Sequence, residues 1–252
     1  MPEAGAVIDV DSAGVALGGR WIFRRLSFAL AQGETLAILG RNGQGKTTLL
    51  RALLGFLPVS EGRASVRGSV GYVPQRASVP FAYSVLDVVL MGRARHLGMF
   101  AVPGEADYAV ARAALESLGM LSFATRRIDQ LSGGEQQLVL ISRALASECD
   151  VLILDEPTSA LDFRNQDLIL STIRHVSRER GLTIVFASHY PQHAIRVGDK
   201  ALLMQGVGDY AFGEVEDVMS EEALGRLYDI PIRKVSLVRD GQRTTSMVPV
   251  FS

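Results

Sequence analysis

The stretch Gly40-Arg41-Asn42-Gly43-Gln44-Gly45-Lys46-Thr47 fits the spacing G-x-x-x-x-G-K-[ST], which cradles a polyphosphate. Its glycines let successive backbone N–H groups turn inward with no Cβ in the way, and a helix opening behind them adds the partial positive charge of its N-terminus. Lys46 then reaches the terminal phosphates as a point charge, and the Thr47 hydroxyl is placed to hold Mg²⁺. A second pair of chemical groups, Asp155 and Glu156, ends the apolar run Val151-Leu152-Ile153-Leu154. Acidic residues delivered by a buried strand to its C-terminal edge lie where ligands bind in open α/β sheets. Asp155 suits Mg²⁺ held through water, and Glu156 suits orienting or deprotonating an attacking water. These residues predict a nucleotide-phosphate site, and a phosphate loop alone does not separate kinases, GTPases, motors and transport ATPases.

These groups need a scaffold, and the sequence patterning supplies one. Thr35 to Leu39 is an apolar run that predicts a buried strand feeding the phosphate loop, and Thr48 to Leu54 predicts the helix leaving it. Before them, Ala6 to Val10 and Gly14 to Leu17 are expected as short strands, with a turn at Gly18-Gly19 and a further strand from Trp21 to Leu30. Gly62 to Arg67 and Val70 to Val73 suggest another hairpin. From Ser84 the pattern becomes helical, with Ala106 to Leu118 following a loop around Gly98 to Gly104. After that come a helix from Gly134 to Ala146, the strand Val151 to Leu154, a helix from Phe163 to Glu179 and the strand Thr183 to Ala187. This alternation predicts an α/β fold with a helix-flanked sheet, an antiparallel β part at the N-terminus, and an inserted helical subdomain over about residues 80–130 between catalytic-core segments 1–79 and 131–252.

Composition narrows the function classes. At 252 residues and 48% hydrophobic residues, the chain can bury a full core. A formal net charge of −1 gives no global basic field for nucleic acid. Cys149 is the lone cysteine, so no disulfide or zinc framework can be built, and an inert reduced thiol is expected. No basic-then-apolar leader and no apolar run of membrane-spanning length is present, so the chain is expected in the cytoplasm unless a partner holds it at a membrane.

Between the two chemical centres lies Leu131-Ser132-Gly133-Gly134-Glu135, in which Ser132, Gly133 and Gly134 open a helix much as the first loop does and offer a second anion cradle. With that loop the chain resembles the ATP-binding subunits of ABC transporters, whose LSGGQ-type signature stands here as LSGGE. The resemblance covers nearly the whole chain. It rests on the P-loop, the signature, the acidic strand end, Ser159-Ala160-Leu161-Asp162, Gln75 after Val73-Pro74, and His189 after Phe186-Ala187-Ser188, in that family's order.

It implies a P-loop NTPase core, ATP and Mg²⁺ as ligands, and a head-to-tail dimer in which Ser132 faces the γ-phosphate held by a second copy. Gln75 resembles the residue that touches Mg²⁺ and the lytic water and senses the membrane subunit. His189 resembles the histidine that binds the γ-phosphate and steadies Glu156. Asp162 resembles the residue that carries signals across the dimer, although alone it could be a helix cap. Thr48 adds a hydroxyl at the α-phosphate end. The other histidines named by the pattern, His175 and His193, are expected as hydrogen-bonded surface residues. Leu17 stands where the family usually places an adenine-stacking aromatic, and Trp21 and Phe23 are the nearby aromatics.

The segment from Val79 to Arg93 resembles its counterpart in importers of iron-siderophores, haem, cobalamin and molybdate or tungstate, and the short tail, with Glu214 to Tyr228 as a turn and helix, fits the same group. The implied partners are polytopic membrane permease subunits and a periplasmic or surface substrate-binding protein, with the chain on the cytoplasmic face of the inner membrane. Val79, Pro80, Phe81, Ala82 and Tyr83 are more apolar than a solvated loop needs and suit a socket for a short permease helix. The alternatives are a soluble P-loop ATPase acting on nucleic acid or protein, an exporter ATPase, and a regulatory module with little turnover. Neutral charge and no heptad stretch count against the first, and the intact Glu156 and His189 against the last.

Overall fold

A computed structural model describes residues 5–75, 82–98, 101–239 and 242–251. The chain forms two compact units, Met1–Arg67 with Thr183–Ser252 and Gly68–Leu182.

In the first unit, β1 (Ala6–Leu17) and β2 (Arg20–Ala31) pair antiparallel. They turn at Gly18 and Gly19, whose φ values of 56° and 78° match the positive-φ pair that a tight hairpin turn requires. The two expected short strands are one continuous strand. Its register shifts between Val10 and Ala13, with Ser12 at φ 49°, and such a bulge interrupts the alternation that sequence patterning relies on. On the other side of β1 lies β4 (Glu61–Val66), again antiparallel.

β3 (Thr35–Leu39) is buried along its whole length, because parallel neighbours cover both of its edges. Those neighbours are β7 (Thr183–Ser188) and β8 (Lys200–Gly206), and β9 (Asp209–Glu214) adds antiparallel to β8. The result is a mixed sheet flanked by α6 (Pro191–Val197), α7 (Val215–Val218) and α8 (Glu221–Tyr228), while α1 (Lys46–Leu53), which follows β3, packs against β4. A second antiparallel pair, β10 (Ile232–Arg239) with β11 (Gln242–Pro249), follows. Buried Ile232 and Met247, Arg233 on Glu221 at 2.8 Å and a Gln192–Ser246 hydrogen bond fasten it to α8 and α6.

In the second unit, β5 (Val70–Val73) runs parallel to β6 (Val151–Leu154). The expected hairpin of residues 62–73 therefore does not form. Gly68, at φ 84°, turns the chain onto Asp150, which accepts from the Ser69 N–H at 2.6 Å and the Ser69 hydroxyl at 2.8 Å and so draws β5 to the start of β6. Helices α2 (Val85–Leu90) and α3 (Glu105–Ser117) follow, then α4 (Gly133–Ala146) and α5 (Phe163–Arg180). Arg93, 7% exposed, donates to Asp107 at 3.0 Å, the Ala146 carbonyl at 2.8 Å and Glu148 at 2.6 Å, tying the α2–α3 region to the end of α4. Among the described residues no helix is long and apolar enough to cross a membrane.

Candidate functional site

The phosphate loop joins β3 to α1. Gly43 and Gly45 sit at φ 82° and 93°, a region that L side chains rarely adopt, and Gly45 is the N-cap of α1. A Cβ on Gly45 would also meet Ile22 Cγ2 at 2.6 Å, so this glycine is required by space as well as by dihedral. Gly40 is tight against the Met204 carbonyl, 3.1 Å from where its Cβ would stand. Gln44 braces the loop, its carbonyl oxygen accepting from the Arg41 N–H at 3.1 Å and its amide donating to the Gln205 carbonyl at 3.2 Å. Lys46 is 5% exposed and donates to the carbonyls of Gly40 at 2.9 Å and Arg41 at 3.4 Å. Thr47 and Thr48 are half-buried on the first helical turn, and Asn42 is exposed. A buried ammonium beside glycine-lined backbone and two adjacent hydroxyls fits a triphosphate with its Mg²⁺.

In the second unit, β6 delivers Asp155, 3% exposed, and half-buried Glu156, whose φ is 47°. Left-handed backbone at a non-glycine residue costs energy and aims this side chain away from the strand direction. The Gln75 amide donates to Glu156 Oε2 at 3.0 Å, and the Asp155 N–H donates to the Val73 carbonyl at 2.9 Å. Pairing of β5 with β6 thus unites two candidates far apart in the chain. Asp162 caps α5, Oδ1 accepting from the Asn165 N–H at 2.8 Å. Ser132 caps α4 in a reciprocal box: Glu135 accepts from the Ser132 N–H at 2.8 Å and its hydroxyl at 2.7 Å. Acceptance from the Ser132 hydroxyl, and then from its N–H, holds the Glu135 carboxyl below the usual range. Gly134 lies against α5, where its Cβ would be 2.5 Å from Asn165 Oδ1, and a Cβ on Gly133 would be 3.3 Å from Leu161 Cδ2. Ser132, Gly133, Gly134 and Asp162 are therefore joined through the packed starts of α4 and α5.

His189 occupies the two-residue corner between β7 and α6. Its ring packs on Tyr190 with centroids 4.0 Å apart, and Tyr190 packs on His193 at 5.1 Å. His193 is buried, not on the surface as expected, because α6 turns it onto the end of β7, where its Nδ1 lies 2.9 Å from the Ser188 hydroxyl. Burial, and secondarily the neighbouring His189, push its pKa down to about 4. His175 is exposed. The Ser188 and Tyr190 contacts escaped sequence reasoning, whose one available signal was the spacing of His189 and His193 at i and i+4.

The ABC transporter family profile matches residues 23–159. A molybdate import ATP-binding protein, MolC, of Haemophilus influenzae is 43% identical over 92% of this chain and 91% of its own length. The chain belongs to the ABC transporter family. A manganese transport system ATP-binding protein, MntB, of Bacillus subtilis is 36% identical over 88% of this chain and 92% of its own. A solved structure described as an inward-facing conformation of a putative metal-chelate type ABC transporter is 41% identical, with TM-score 0.94 and 98% of both chains covered. This ABC subunit therefore has the fold of the family's ATPase cassettes, and its ATP hydrolysis is coupled to transport.

Two candidate surfaces of the ABC subunit differ in how far the structure reaches them. Leu17 is 46% exposed at the end of β1, and the Arg24 guanidinium, paired with Glu61 at 3.0 Å, lies 4.6 Å over the Trp21 ring. One face of Trp21 is thus covered by a cation, and its Cζ3 lies 3.0 Å from where a Cβ on Gly14 would stand. Of the expected permease socket, Ala82 and Tyr83 are exposed, while Val79, Pro80 and Phe81 lie outside the described residues. Cys149 is a free, half-buried thiol whose pKa burial pushes up, as an inert cysteine requires.

Proposed function

We propose that this ABC subunit powers import of a metal oxyanion or metal chelate through a separate membrane permease. The observation that carries the substrate class is its 43% identity to the molybdate import protein, supported by full-length similarity to a metal-chelate type transporter. ATP is bound by Gly40, Asn42, Gly43, Gln44, Gly45, Lys46, Thr47 and Thr48, with Trp21 beside the base. Thr47, Gln75 and Asp155 are the residues that would hold Mg²⁺, which would neutralise charge on the phosphates.

Glu156 takes the proton of the attacking water or orients it, while His189 contacts the γ-phosphate. Gln75, already bonded to Glu156, is suited to report permease position directly to the base. Ser132, Gly133 and Gly134, with Asp162, act on the nucleotide of a second copy in a head-to-tail dimer. Residues 80–130 serve as the helical subdomain that, with Tyr83 at its start, docks the permease. That places the chain at the cytoplasmic face of the inner membrane, fed by a substrate-binding protein on the other side.

The test is uptake by vesicles carrying this chain with its permease, offered molybdate, a ferric chelate or Mn²⁺ in turn. ATP-dependent accumulation of molybdate or the chelate, lost in Glu156→Gln, is expected. Accumulation of none of them, or of Mn²⁺ alone, would contradict the substrate assignment.

A further inference from the structure

We propose that Ser188 and His193 are positioning residues that hold the His189 imidazole in its working orientation, an inference that rests on the role of His189 at the γ-phosphate. β7 ends at Ser188 and α6 begins at Pro191, so His189 and Tyr190 must turn the corner between them. Three hydrogen bonds close it. The Ser188 hydroxyl accepts from the Tyr190 N–H at 3.0 Å and lies 2.9 Å from His193 Nδ1, while the His193 N–H donates to the Tyr190 carbonyl at 3.1 Å.

Ser188 is 2% exposed and His193 5%, so both polar groups must find partners inside the protein. If the hydroxyl gives its proton to Nδ1 while accepting from Tyr190, its donor and an acceptor site are both used; the opposite tautomer would leave a buried O–H to seek another acceptor. An imidazole with a pKa of about 4 remains neutral at physiological pH and keeps Nδ1 available as that acceptor. The corner then fixes the Tyr190 ring, which packs against both His193 and His189, with interplanar angles of 55° and 42°.

His189 is consequently aimed by a ring that is aimed by a buried hydrogen bond. A histidine on a mobile corner would have to be ordered at each turnover, whereas one held beforehand spends no rotamer freedom in the reacting complex. A merely space-filling His193 would be replaced equally well by any side chain of its volume.

Steady-state turnover of Mg²⁺-ATP by the purified full chain separates these cases. His193→Leu, which keeps bulk and loses the acceptor, and Ser188→Ala are each expected to lower kcat about tenfold with the KM for ATP within about twofold. The double variant should be no worse than Ser188→Ala alone, because that change already removes the bond that His193→Leu removes, along with the Tyr190 N–H contact. His193→Asn, which returns an acceptor near the Nδ1 position, should recover most of the rate. The ring proton resonance of His189, displaced by the Tyr190 ring current, should move in His193→Leu and Ser188→Ala and return in His193→Asn. A wild-type kcat in both single variants, losses that multiply in the double variant, or equal rates for Asn and Leu at position 193 would overturn the proposal. His189→Ala, run alongside, tests the underlying role: wild-type turnover there sinks the γ-phosphate assignment. The resonance then decides positioning alone, and an unmoved signal overturns it.

Discussion

α1 and α4 both open at loops assigned to phosphate, yet their N-termini are finished in opposite ways. α1 begins at Gly45 in the left-handed region, with no side chain to cap it, no acid in its first turn, and Lys46 buried beneath the loop. α4 begins at Ser132 in extended backbone, and Ser132 and Glu135 cap it reciprocally, so a carboxylate already occupies the hydroxyl and one N–H. An anion arriving at α1 meets a site shaped for it. An anion arriving at α4 must displace an internal bond and approach a negative charge. On the proposed function, this difference would give the two loops an order: the P-loop would capture ATP by itself, and the signature loop would close only on phosphate already held.

The strongest way to break that order is Lys46→Ala. Removing the buried ammonium should weaken ATP binding by about 100-fold or more, since a charge-assisted contact to phosphate is lost in a low-dielectric site. Variants of the signature loop should leave binding to the isolated chain nearly unchanged. Calorimetry with ATP decides both, and normal affinity in Lys46→Ala would dissolve the distinction.

Gly134→Ala is next in size. The new methyl would stand 2.5 Å from Asn165 Oδ1 and 3.0 Å from its Cβ, so Asn165 must turn away or α4 and α5 must shift apart at their starts. Overpacking of this kind costs about 1–3 kcal/mol, and the expected result is a lower melting temperature together with impaired ATP-driven closure. Adding Asn165→Ala should restore part of both. Failure of that rescue in thermal melts would locate the need for glycine elsewhere.

Glu135→Gln sharpens the comparison more gently. The amide can still complete the capping box, but it removes the charge that opposes an incoming phosphate. Closure should therefore need about two- to fivefold less ATP, in keeping with the modest size of helix-terminal charge effects. The midpoint of an ATP titration followed by light scattering, in a Glu156→Gln background, measures this, and a rightward shift would contradict it.

The smallest effect belongs to the base. Trp21→Ala is expected to weaken ATP about threefold and inorganic tripolyphosphate not at all, since stacking of an aromatic on a base is worth roughly 1 kcal/mol or less. Equal behaviour of the two ligands in a binding titration would hand the base to Leu17 or to no side chain in particular.

Local chemistry was legible in the sequence wherever it was written by consecutive residues. The P-loop with its flanking strand and helix, the Ser132 and Asp162 helix starts, and the buried strand ending in Asp155 lie where spacing placed them. What failed was pairing at a distance. Residues 62–73 look like a hairpin because two β runs flank Arg67-Gly68, yet Asp150, remote in sequence, captures Ser69 and makes β5 the parallel partner of β6. β8 to β11 went unread, although Gly208 lies between the paired strands β8 and β9 at φ 75° and Asp240-Gly241 stands in the sequence between β10 and β11. In the site, Gln75 and Glu156 were each nominated, but their mutual bond depends on that same strand pairing. The burial of His193 and the cover of Arg24 over Trp21 depend on tertiary contacts that no local pattern records.

Sharing of one ATP between the P-loop of one copy and the self-capped signature loop of another is tested most directly by the mass of Glu156→Gln in solution. The amide keeps the shape of the glutamate but cannot accept a proton, so bound ATP should persist. Light scattering of the purified variant should give the mass of two chains with Mg²⁺-ATP and of one chain with Mg²⁺-ADP, because only the triphosphate supplies the group that draws Ser132 away from Glu135. A single-chain mass with both nucleotides, or the same dimer with ADP, would contradict the account.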